Sequence, residues 1–188
     1  MEIKTLTLGE LGTNCYIVIS AAGNAAVIDP ADDAQRILDA LGAENAELKM
    51  ILLTHGHFDH TGAAADLKEQ TGAKVYIHAK DECMLDDTIK NVAYLCPDYS
   101  YKPFSADKLL SDGDIIRLDE IEFSVMSTPG HTSGSVVYFA DNYMFAGDTI
   151  FEGSAGGTDF YSGDYIAQRN SLARLAALRE DYIIYPGH

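Results

Sequence analysis

A chain of 188 residues with 47% hydrophobic side chains is long enough for one domain with a sizeable core and short for two. Its formal charge is -16, from 29 acidic against 13 basic residues with no Lys/Arg cluster, which argues against nucleic acid as a partner. No apolar run reaches the length of a membrane span, and the odd, sparse set Cys15, Cys83 and Cys96 with no signal-peptide pattern leads to the expectation of a cytoplasmic location.

Residues 2–8, 14–19 and 25–29 read as three short strands separated by glycine-containing turns, an antiparallel opening to a sheet. Pro30 breaks the run, and beyond Asp33 the residues Ile37, Leu38 and Leu41 recur at helical spacing with Gly42 as the stop. A buried strand over 48–53, a helix over about 62–71, a strand at 74–78 and a short helix at 80–85 follow. Residues 86–110 hold Pro97, Pro103, Tyr94, Tyr99, Tyr101 and Phe104 without a sustained period, and read as an irregular excursion whose aromatics serve as lid, core or oligomer contact. Strands near 114–118, 121–127, 135–140 and 142–146, a helix near 164–179 and a strand at 182–185 complete the chain. Two strand-rich halves, each carrying helices, predict an α/β sandwich of two sheets with helices outside and one shared core.

After the strand over 48–53, the stretch THGHFDHTG packs His55, His57, Asp59 and His60 into six consecutive positions. A single loop histidine or aspartate is ordinarily an exposed or capping residue. Imidazoles held this close, however, repel one another when protonated and gain nothing structural without a cation. His131 in TPGHTSGS and His188 in YPGH each follow an apolar strand with the same Pro-Gly-His, and Asp148 in FAGDT follows another. His78 ends the strand at 74–78 and reads as an ordinary strand-end histidine.

Residues two apart on an extended segment point the same way, so His55 and His57 can bind one cation while Asp59 and His60 turn toward a second. Three histidines then cover one ion, Asp59, His60 and His188 cover another, and Asp148 is left to bridge them. Mixed nitrogen and carboxylate ligands suit zinc, and also iron or manganese. Two divalent ions side by side point to metal-assisted hydrolysis of a small molecule, with Asp59 also orienting the attacking group.

The motifs LGTNCYIV, AAVIDP, ILLTHGHFDHTG, STPGHTSGSVVY, MFAGDTIF and IIYPGH, in this order over nearly the whole chain, resemble the metallo-β-lactamase fold superfamily, and within it the small glyoxalase II-like hydrolases. The resemblance implies a four-layer αββα sandwich with the metals at one edge of the two sheets. It also implies His55, His57 and His131 on the first metal, Asp59, His60 and His188 on the second, and Asp148 between them. Asp148 stands where the commonest zinc β-lactamases carry cysteine, and His57 where flavodiiron proteins carry glutamate, so both activities are disfavoured. Glyoxalase II proper continues past the position of His188 into a helical domain that helps hold glutathione. The loop 153–159 has Gly157 where that family commonly has an arginine. The expected activity is therefore dinuclear metal-dependent hydrolysis, of a thioester of the S-lactoylglutathione type or of another small ester or lactone. A persulfide dioxygenase holding one iron through His55, His131 and Asp148 is the alternative, and oligomeric state stays open.

Overall fold

The structure is a computed structural model describing residues 1–188. Strands β1 (Glu2–Leu8), β2 (Thr13–Ile19) and β3 (Asn24–Ile28) pair antiparallel, as their turns predict. Helix α1 (Ala34–Ala43) starts at Asp33, whose carboxylate accepts the Arg36 N–H, and buries Ile37 and Leu41. Strand β4 (Glu47–Leu52) lies parallel to β3, and β5 (Lys74–His78) lies parallel to β4.

Between β4 and β5 the predicted helix over 62–71 forms as α3 (Ala64–Thr71), and a four-residue helix that the sequence pattern does not announce, α2 (Phe58–Thr61), precedes it. The break between them has a tertiary cause: the Ala63 N–H leaves the helical ladder and donates to the Pro30 carbonyl. Gly62 permits that approach, because a Cβ there would stand 2.4 Å from the Ala31 carbonyl oxygen and 2.0 Å from the Tyr99 hydroxyl. The predicted helix at 80–85 is only a 3-10 turn, Glu82–Met84. The excursion over 86–110 ends in a strand that its period did not announce, β6 (Lys108–Leu110), paired parallel to β5.

The first sheet thus has the order β1-β2-β3-β4-β5-β6. The second is built from β7 (Ile115–Leu118), β8 (Ile121–Ser127), β9 (Val136–Ala140), β10 (Tyr143–Gly147) and β11 (Ile183–Pro186), in the order β11-β10-β9-β8-β7. Helix α4 (Tyr165–Ala176), capped by Asp164 through the Ile166 and Ala167 N–H groups, comes before β11 and is shorter than the predicted 164–179.

Period-two alternation decides the layers. In β2, Cys15, Ile17 and Ile19 face a core shared with α1 and α3, while Tyr16 and Val18 face the core between the sheets. The inter-sheet core takes residues from both halves of the chain, including Ile28, Leu52, Phe123, Tyr138 and Phe145. Val137, Met144 and Ala146 turn the other way and pack on Leu175 of α4. The result is the expected helix-sheet-sheet-helix sandwich. Its inner strands are buried on both faces, which is why they read as continuous apolar runs.

Candidate metal centre

The C-terminal ends of β3, β4, β10 and β11 and the loop after β8 open on one edge of the sandwich. All seven predicted ligands come together there. The His57 Nδ1 atom lies 3.1 Å from His55 Nε2 and 2.9 Å from His131 Nε2. Asp59 Oδ2 lies 3.5 Å from His60 Nε2 and 3.4 Å from His188 Nε2. Each set places its ligand atoms within 4.8 Å of one another, so each could hold an ion. Asp148 stands between the sets, with Oδ1 3.2 Å from His60 Nε2 and Oδ2 3.5 Å from His131 Nε2. Gly187 makes this closeness possible, since a Cβ there would lie 2.2 Å from Asp148 Oδ1. His78 stays apart: it accepts the Lys80 N–H and joins neither set.

Proton positions test whether the residues fit a cation. His131 Nδ1–H donates to the Gly157 carbonyl oxygen at 2.6 Å, so its Nε2 is a bare lone pair. Thr54 Oγ1 donates to Asp29 Oδ2 at 2.6 Å and therefore accepts from His55 Nδ1–H at 3.1 Å, which leaves His55 Nε2 bare as well. Both lone pairs point at His57 Nδ1, which could satisfy only one of them with a proton. His60 Nε2 and Asp148 Oδ1 are buried and make no hydrogen bond. Unsatisfied lone pairs converging on a shared space are the donor set that a divalent ion completes.

Electrostatics separates the two sets. Burial, and then the neighbouring imidazoles, push His55 well down, and burial followed by the charge of His131 takes His57 to about 3, so the first set presents neutral rings. Burial would also lower His60, but Asp148, Asp59 and Asp29 outweigh it and hold His60 well above the usual histidine range. Burial likewise would raise Asp59 and Asp148, yet His60 foremost among the imidazoles keeps both carboxyls below their usual range. The second set therefore favours positive charge at its centre.

Two buried aspartates that motif reading did not select hold the ligands in place. Asp29, in the left-handed region at φ 48, accepts the Thr54 N–H and, through Oδ2, the Thr54 hydroxyl and His60 Nδ1–H at 2.9 Å. It thereby aims His60 Nε2 at the ion position. Its only signal was its place at a strand end in AAVIDP. Asp81 follows β5 and has no sequence signal. It accepts Gly56 N–H from the first-ligand loop, and Gly134 N–H and the Thr132 hydroxyl from the loop of His131. Replacing Asp81 with Ala leaves the buried Gly56 and Gly134 N–H groups unpaired, whereas the Thr132 hydroxyl keeps Ser135 Oγ as a partner. We expect a loss of about 3 kcal/mol, which at this chain length lowers the thermal midpoint by roughly 6–12 °C. Thermal unfolding of metal-loaded protein checks this, and an unchanged midpoint would show that the two loops do not depend on Asp81.

The aromatics of 86–110 divide. Tyr99 and Tyr101 pack against Phe58, Val92 and Ala93, Phe104 packs against the helix-side core, and Tyr94 and Leu95 are exposed. The stretch from Leu95 to Tyr99 walls a pocket of about 370 Å³ whose lining includes Asp59.

Comparison with known proteins agrees with this fold. The sequence profile of the metallo-beta-lactamase superfamily matches residues 8–188. The chain is 32% identical to the hydroxyacylglutathione hydrolase GloC of Haemophilus influenzae, over 100% of this chain and 91% of that protein. Among solved structures, the B3 metallo-beta-lactamase BLEG-1 superposes with a TM-score of 0.94 at 32% identity, covering 100% of this chain and 91% of that one. TTHA1623, crystallised in a di-iron-bound form, superposes with a TM-score of 0.87 at 33% identity, covering 98% and 91%. No helix is long and apolar enough to cross a membrane. Fold, clustered ligands and sequence profile together establish that this chain belongs to the metallo-β-lactamase superfamily of metal-dependent hydrolases.

Proposed function

We propose that the protein is a dinuclear metal-dependent hydrolase of small thioesters, of the glyoxalase II type. The observation that carries this reading is the pair of ligand sets sharing Asp148 beside a pocket that reaches Asp59. His55, His57 and His131 would hold one ion, and Asp59, His60 and His188 the other, with zinc favoured and iron or manganese also suited. Two divalent ions bound there would supply Lewis-acid polarisation of a carbonyl oxygen and activation of water at neutral pH.

The chain's own residues supply the rest. Asp59 orients the attacking group and accepts its proton, Asp29 keeps His60 aimed, and Asp148 spans the two sets. A thioester suits this machinery because its carbonyl is readily polarised and its thiolate leaves easily. Gly157 supplies no cation where the related loops carry arginine, so weak saturation by anionic conjugates is expected.

The test is a panel of thioesters including S-lactoylglutathione, other small esters and lactones, β-lactams and nucleic acids. It uses metal-replete protein with a chelated control. Chelator-sensitive thioester hydrolysis without useful β-lactam or nucleic acid turnover supports the reading. The likeness to BLEG-1 makes the β-lactam arm discriminating. Oxygen consumption with glutathione persulfide, and no thioesterase activity, would move the assignment to the single-iron dioxygenase held by His55, His131 and Asp148.

A further inference from the structure

The pocket beside Asp59 has a lining at odds with an anionic substrate. Three acidic residues line it besides Asp59: Glu10 from the β1–β2 turn, Asp32 after β3, and Asp98 from the excursion. No lysine, arginine or histidine lines it. Half of its lining residues are hydrophobic, with Phe58 as one wall, and its mouth carries Leu11 and Leu95, 55% and 51% exposed. A bound cation would balance Asp59, whereas Glu10, Asp32 and Asp98 belong to neither ligand set. On the other flank of the ligands, Gly157 carries no cation either and Phe160, ring centroid 6.1 Å from that of His57, is exposed.

Resting on the thioester reading above, we infer that the arm of the substrate entering this pocket is apolar and either uncharged or cationic. The preferred substrate is then a neutral or cationic acyl thioester, and an anionic conjugate such as a glutathione thioester is a poor one. The physical cause is like-charge juxtaposition in a partly desolvated cleft, which disfavours the wrong partner more than it strengthens the right one. The apolar walls supply area for binding whatever the charge.

Binding of symmetric sulfides separates charge from chemistry, because either arm presents the same group to the pocket and none can be hydrolysed. Three probes with trimethylammonium, N-acetylamide or sulfonate arms avoid groups that ligate metals strongly. We expect calorimetry on metal-loaded protein at low salt to show the sulfonate probe binding at least about tenfold more weakly than the neutral one. The cationic probe should bind at least as tightly as the neutral one. In the double variant Asp32→Asn, Asp98→Asn most of that gap should close. Asp98 is exposed, and an Asn at position 32 keeps an acceptor for the Asp33 N–H that Asp32 now receives, so the fold is spared. Sulfonate binding equal to neutral binding, or equal weakening of all three probes in the variant, would overturn the inference. Thioesters with matched arms complete the test. Turnover without a charge order overturns the inference alone, whereas the charge order in binding without any turnover supports it and removes the thioesterase reading.

Discussion

Replacing Asp59 with Asn should lower turnover by about a hundredfold or more, the range of general-base contributions, far more than it lowers folding stability. An amide cannot take a proton from the attacking group and brings no charge to balance two dications. The local hydrogen bonding of the side chain survives: its Oδ2 accepts the Thr13 hydroxyl at 3.1 Å, and the Asn oxygen can still accept there. The loss of stability comes from the missing charge beside His60 and His188 and is expected to stay far smaller in effect than the loss of turnover. Turnover measured at saturating metal, with ion content and thermal midpoint determined on the same sample, separates loss of chemistry from loss of ion. Wild-type turnover in the variant would reduce Asp59 to a structural ligand.

The second large effect is on metal content. Seven ligands exceed what one tetrahedral or octahedral ion uses, so two ions per chain are expected at full occupancy. His55→Ala or His131→Ala should empty the first set, and His60→Ala or His188→Ala mainly the second. Each is expected to reduce activity more than about a hundredfold, since losing an outer partner of a ligand alone typically costs 10–100-fold. His188 is the most informative of these, because its side chain is the most exposed of the four, so its removal disturbs packing least. Elemental analysis across the four variants reads the outcome. The same loss in all of them would defeat the division of ligands, and a firm single iron with no second ion on adding zinc, manganese or iron would defeat the dinuclear centre.

How much of this was legible before folding depends on chain distance. His55, His57, Asp59 and His60 sit in one loop, so spacing alone marks a cation site, and His131, Asp148 and His188 each carry a local strand-then-glycine signature. The strands of the two sheets were readable for the same reason, since alternation and apolar runs are local properties. The misses share a different cause. β6 is too short to show a period and exists because β5 offers it an edge. Helix α3 is separate from α2 and starts only at Ala64 because Pro30, far back in the chain, takes the Ala63 N–H.

By itself the sequence determined the fold class and singled out the seven candidate ligands, because those follow from residue type and local pattern; their division into two groups is what the metal-content variants test. The tertiary structure alone decided which groups aim the ligands and what surrounds them. Asp29 reaches His60 across 31 positions, and Asp81 reaches Gly134 across 53. Glu10, Asp32 and Asp98 share a pocket only once three separate segments fold together beside Asp59. Hydrogen bonds and cavity charge are properties of side chains brought together through space, and no periodicity along the chain records them.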